Sequence, residues 1–137
     1  MRVRKARPED SSPAVELARK LGLHYPGMEA DELWAAEEDG QIVGVVALKT
    51  HPDCRELCAL GVDPAHRGKG AAKALVEALM SEAPGDVHLA TVIPAFFDCC
   101  GFAMTAEVPR AFIEKRRTSW CEGCDQSRCT VMRRKAS

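Results

Sequence analysis

Between an apolar strand, Leu57 to Val62, and an amphipathic helix lies the stretch Val62-Asp63-Pro64-Ala65-His66-Arg67-Gly68-Lys69-Gly70-Ala71-Ala72. Ala72, Leu75, Val76, Leu79 and Met80 recur at helical spacing, so the helix is expected to start near Gly70. Backbone N–H groups in a first helical turn have no intrahelical partner, and the helix dipole leaves positive potential there, so a phosphate group satisfies both. Gly68 and Gly70 carry no Cβ to hold the oxygens off or to restrict φ, and Arg67 and Lys69 add cationic donors at the flanks. The turn reads as a cradle for a diphosphate. The plain alternative is a tight strand-to-helix connection with no ligand.

Two other phosphate motifs do not fit. A P-loop needs a glycine five residues before its Gly-Lys pair and a Ser or Thr after it, where this chain has Asp63 and Gly70. A dinucleotide fingerprint needs a third glycine, where Gly68-Lys69-Gly70-Ala71-Ala72-Lys73 ends in lysine.

The remaining segments alternate between strand and helix. Val3 to Ala6 is expected as a strand, followed by a helix with Ser12 as N-cap, Pro13 at its first position and Ala14, Leu17, Ala18 and Leu21 on its buried face. Leu33 to Glu38 and Ile42 to Lys49 form a hairpin about Asp39-Gly40, the dipeptide that suits a tight primed turn. Val87 to Val92 is a further strand, Pro94 opens a short helix through Cys100, and Thr130 to Arg134 supplies a last strand. The loop from His24 to Glu32 carries no clear pattern.

A chain of 137 residues that is 46% hydrophobic suits one α/β domain, residues 1–137, with a central mixed sheet flanked by helices on both faces. Residues 114–137 form its cysteine-rich end. A net charge of −1 offers no electrostatic footprint for nucleic acid or an anionic membrane, which points to small-molecule chemistry. The basic start Met1-Arg2-Val3-Arg4-Lys5 leads into no apolar stretch, so the expected location is cytoplasmic, with the seven cysteines as reduced thiols or metal ligands.

Arg67-x-x-Gly70-x-Ala72 after a Val-Asp-Pro strand end resembles the acetyl-coenzyme A signature of the GNAT N-acetyltransferase superfamily. Phe97-Asp98-Cys99-Cys100-Gly101-Phe102 resembles that superfamily's late aromatic element, and Asp39-Gly40-Gln41-Ile42-Val43-Gly44 its central hairpin. The resemblance covers residues 1 to 113. It implies a GNAT-type fold, acetyl-coenzyme A as cosubstrate, direct acetyl transfer to a small-molecule primary amine, and a chain that can pair as a homodimer. Arg67, Gly68, Lys69, Gly70, Ala71 and Ala72 would hold the cofactor, with Leu60 and Val62 contributing through their backbone.

Amine attack on a thioester requires a neutral nitrogen, which an α-amino group with a pKa of about 7.7–8.0 supplies far more readily than a lysine near about 10.4. Period-two alternation puts Glu56, Cys58, Leu60 and Val62 on one face of the strand leading into the cradle, and Glu56 is the catalytic base candidate. The other reading of Glu56 is a solvated or salt-bridged carboxylate. Many relatives place a tyrosine as general acid where this chain has Phe97; Phe96 and Phe97 then read as walls for the pantetheine arm or as core. His66 and His88 are alternatives as acids that structural roles explain better.

The tail Trp120-Cys121-Glu122-Gly123-Cys124 through Cys129 and Met132 resembles the N-acetylglutamate-synthase-like branch of the superfamily. That implies glutamate or a related amino acid as acceptor, although the branch commonly has arginine where this chain has Cys58. A polyamine, peptide or drug amine as acceptor, or a catalytically silent acyl-coenzyme A-binding module, are the rival readings. Cys121, Cys124 and Cys129 could join His51, Cys54 or Cys58 around a structural zinc, but three ligands do not complete a site and no metal is assigned.

Overall fold

The computed structural model describes residues 1–115 and 129–135. Strands β1 (Arg2–Lys5), β2 (Glu32–Glu38), β3 (Gln41–Thr50), β4 (Arg55–Val62), β5 (Val87–Thr91), β6 (Ala103–Met104) and β7 (Thr130–Arg134) form a mixed sheet in the order β1-β2-β3-β4-β5-β7-β6. Helices α1 (Pro8–Lys20), α2 (Ala71–Glu82), α3 (Pro94–Asp98) and α4 (Arg110–Lys115) complete the α/β architecture. Among the described residues, no helix is long and apolar enough to cross a membrane. The chain divides into two compact units, residues 1–49 with 57–83, and residues 50–56 with 84–137.

In the first unit, β2 and β3 are joined by Asp39 and Gly40, with φ of 52° and 79°, the left-handed pair that a primed hairpin turn requires. Both strands are buried on both faces, and their residues sort by parity. Leu33, Val45 and Ala47 pack with Ala14, Val15, Leu17 and Ala18 of α1, while Gly44 and Ala36 face Leu75 of α2. A Cβ on Gly44 would stand 3.0 Å from Leu75 Cδ1 and 3.2 Å from the Ala36 Cβ, so the missing side chain lets α2 lie close to the sheet. Trp34, also on the α2 side, is 1% exposed and its Nε1 donates to Glu82 Oε2 at 2.6 Å. Because Leu75 is completely buried, Leu75→Ala should lower unfolding free energy by about 2–5 kcal/mol through lost apolar burial and the cavity left behind. Urea titration should show an earlier midpoint with an unchanged slope.

Helix α1 starts earlier than Ser12-Pro13 suggests. Pro8 takes the first helical position and the Arg7 N–H donates to Asp10 Oδ2 at 3.0 Å, placing Pro13 inside the helix. The reason is not local. Arg4 of β1 donates to both Asp10 oxygens, at 3.0 and 3.1 Å, and to Glu37 Oε2 at 2.7 Å, which anchors the first turn of α1 to two strands. Asp10 is 5% exposed, and the Arg4 guanidinium holds its carboxyl below the usual carboxylate range.

In the second unit, β5 and β7 pair antiparallel from Val87↔Arg134 to Thr91↔Thr130, and β6 adds to β7 at Ala103↔Arg133. β4 and β5 pair in parallel at Glu56↔His88. Phe97 is buried and meets Phe96 and Phe102 edge-on at 5.0 and 5.9 Å between ring centroids, so it is a core residue of this unit; Phe96 is half-buried.

Candidate functional site

The cradle residues all lie in the first unit. β4 ends at Val62; Asp63 Oδ1 accepts from the Ala65 N–H at 2.9 Å and its own N–H donates to Val43 O at 2.7 Å, which fixes the exit of the strand. Gly68 and Gly70 come next with φ of 85° and 78°. An added Cβ at either would meet nothing within 4 Å, so these positions need glycine for backbone conformation while the space above them is open. Gly70 is the N-cap of α2, no side chain caps that end, and no acidic residue occupies its first turn. Orphan N–H groups, an open approach and left-handed glycines are what a diphosphate site needs.

The two flanking cations are already engaged. Arg67 Nε donates to Val62 O at 3.1 Å and so braces the loop against the end of β4. Lys69 Nζ lies 3.2 Å from Glu38 Oε1 and 3.4 Å from Oε2, an exposed pair that holds the Glu38 carboxyl below its usual range. His66 Nε2 is 3.9 Å from Glu38, and its buried Nδ1 has no hydrogen-bond partner among the described residues. Glu38, at the end of β2, is therefore a loop neighbour that local sequence reading missed.

The alternation assumed for β4 does not run its full length. Ala59 adopts φ of 55° in mid-strand, and consecutive residues Cys58 and Ala59 both pack against the α1 cluster. A left-handed residue inside a strand behaves as a bulge and shifts the parity of the residues beyond it. The period-two argument linking Glu56 and Cys58 to Leu60 and Val62 is thus interrupted, although alanine in this conformation costs about 1–2 kcal/mol. Nothing in the residue types at 58–60 announces the bulge.

Glu56 belongs to the second unit, where it is 3% exposed. His51 Nε2 lies 2.8 Å from Glu56 Oε1; an ionised carboxylate only accepts, so Nε2 is the donor. Phe112 of α4 stands edge-on to His51 and to His88, with centroid distances of 6.5 and 6.3 Å. Nearby, Cys54 is a thiol pushed up to about 11 by burial, with Asp53 and Glu56 adding to the effect, and is therefore held as the protonated, weakly nucleophilic form. The sequence placed His51 only as a zinc ligand. Its position five residues before Glu56, across the Pro52-Asp53 turn, was the available signal.

His88 Nδ1 is buried without a hydrogen-bond partner among the described residues, and burial, reinforced by Arg133, lowers the pKa of the ring. Because the native state binds this proton more weakly than the unfolded chain does, its contribution is intact above about pH 6.5 and fades as pH falls toward the lower native value. His88→Gln should flatten the slope of unfolding free energy against pH in that window, measured by urea titrations from pH 7.5 to 5.

Among the described residues Cys54, Cys99 and Cys129 are free thiols, and no group of three or more His, Cys, Asp or Glu among the described residues is arranged to hold a metal. Cys121 and Cys124, and with them the zinc question, lie outside the described residues.

Comparison with solved structures recovers the same fold. The N-acetylglutamate synthase of Neisseria gonorrhoeae, in complex with coenzyme A and N-acetyl-glutamate, superposes with a TM-score of 0.74 at 18% identity over 99% of this chain, which spans only 35% of that one. Rv2747 of Mycobacterium tuberculosis, in complex with coenzyme A, gives 0.70 at 22% identity over 98% of this chain and 99% of its own. An aminoglycoside 6'-N-acetyltransferase complexed with coenzyme A gives 0.69 at 14% identity, covering 100% of this chain and 98% of that one. A search of curated proteins by sequence finds no match. Residues 4–103 match the family described as Acetyltransferase (GNAT) family, which is more than half of the 137 residues. The chain belongs to the GNAT acetyltransferase family.

Proposed function

We propose that this chain is an acetyl-coenzyme A-dependent N-acetyltransferase that acetylates a primary amine, the α-amino group of an amino acid such as glutamate. The observation that carries the reading is the family match together with the open, uncapped N-terminus of α2 and its two left-handed glycines. Bound acetyl-coenzyme A would supply an activated acetyl group with a thiolate leaving group. The N–H groups of Ala71 and Ala72 and the backbone of Gly68, Lys69 and Gly70 would hold its diphosphate, and backbone groups at Leu60 and Val62 its pantetheine amide.

Lys69 would exchange Glu38 for the diphosphate at little cost, because exposed ion pairs are worth about 0–1 kcal/mol. Arg67 would keep its bond to Val62 O and shape the loop. Glu56 would accept the proton that the amine sheds. A strong base is unnecessary for an α-amino acceptor, since a substantial fraction is neutral near about pH 7.7. With phenylalanine at position 97 and Cys54 held as a thiol, direct attack with thiolate departure is the simplest course. Solved structures of similar fold include an enzyme bound to N-acetyl-glutamate, which supports an amino-acid acceptor.

A thiol-release screen of acetyl-coenzyme A against amino acids, polyamines and peptides tests the reading. Release should be fastest with an amino acid. Tight coenzyme binding with no release across all amines would identify a silent binding module instead, and release confined to polyamines or peptides would move the acceptor.

A further inference from the structure

We propose that His51 is a positioning residue for Glu56, an inference that rests on Glu56 being the base of the acetyl transfer proposed above. Glu56 is 3% exposed, and a carboxylate buried to that extent needs donors to hold it in one orientation. His51 Nε2 supplies one at 2.8 Å, from a side chain that is itself only 17% exposed.

The imidazole is fixed from several directions within the second unit. The backbone N–H of His51 donates to Cys54 O at 2.8 Å and closes the turn between β3 and β4. Asp53 Oδ2, at the tip of that turn, accepts from the Arg110 N–H at 2.8 Å and so ties down the start of α4. Within the first turn of that helix, Phe112 is 2% exposed and lies edge-on against the His51 ring at 69°. One short turn therefore sets both the histidine and the helix that packs it. A donor held this rigidly reduces the orientations open to the carboxylate, which is how a group acting through another raises turnover.

The test compares His51→Gln with His51→Asn by thiol release, with Glu56→Gln alongside and coenzyme affinity measured by calorimetry to confirm folded protein. The Gln amide nitrogen overlays Nε2 and keeps the hydrogen bond, whereas the Asn amide is one bond too short. His51→Asn should lower kcat by on the order of tenfold with KM for the amine nearly unchanged, and His51→Gln should recover most of it. A histidine that merely fills space would respond alike to both changes. Normal kcat in His51→Asn, equal losses in both variants, or a loss confined to KM would overturn the inference. If Glu56→Gln is slow and His51→Asn is normal, this inference alone fails. Full turnover in Glu56→Gln, or no release by the wild type, removes the base or the activity and the role of His51 with it.

Discussion

Gly70→Glu should reduce affinity for coenzyme A by on the order of a thousandfold, because a like charge placed against a diphosphate costs several kcal/mol. Two effects are at work. The side chain must enter a backbone conformation with φ of 78°, costing about 1–2 kcal/mol, and it places a carboxylate where the open N-terminus of α2 would receive phosphate oxygens. Gly70→Ala separates them. An added Cβ there meets nothing within 4 Å, so alanine should carry the conformational cost alone, losing about 1–2 kcal/mol of stability while binding coenzyme nearly as tightly as the wild type. Calorimetric titration of the three proteins reads the difference, with thermal unfolding to show that each is folded.

Glu56→Gln should lower kcat by about 10²–10⁴-fold, the usual contribution of a positioned general base, while leaving coenzyme affinity unchanged. The shape of Gln matches that of Glu and its amide can still meet His51, so packing around residue 56 is preserved. The defect should be largest at low pH, where little of the amine is neutral, and should shrink as pH rises past the amine's own pKa. Initial rates of thiol release from pH 6 to 9.5 measure it. A uniform loss at every pH would assign Glu56 to structure instead.

How much could be read from the residues depended on whether the decisive contact was local. Asp39-Gly40, the apolar runs of β3 and β5, Thr130–Arg134 and the start of α2 behind Gly70 arise from turn chemistry and periodicity within a few residues. The start of α1 does not, because Arg4 reaches Asp10 from another element and outweighs the Ser12-Pro13 signal. Helix α4 was missed for a similar reason. Its first N–H is satisfied by Asp53, 57 positions earlier, and Arg110-Ala111-Phe112-Ile113 alone is too short to show a period.

The site divides in the same way. Gly68 and Gly70 are legible because left-handed backbone and close approach demand glycine at those positions. The engagement of Lys69 by Glu38, the bulge at Ala59 and the hydrogen bond from His51 to Glu56 depend on strand pairing and packing. Alternation along β4 assumed a regular strand, and one left-handed alanine was enough to break it. Glu56 stands out as a carboxylate near the start of that strand, but its partner became visible only once the Pro52-Asp53 turn was closed.

Backbone amide resonances in a nitrogen–proton correlation spectrum, tracked as coenzyme A is added, test the cradle most directly. The account predicts that Gly68, Lys69, Gly70, Ala71 and Ala72 shift together and saturate at one affinity, and that pantetheine, which lacks the diphosphate, leaves them in place. Saturable binding that moves amides elsewhere while these five stay still would contradict it.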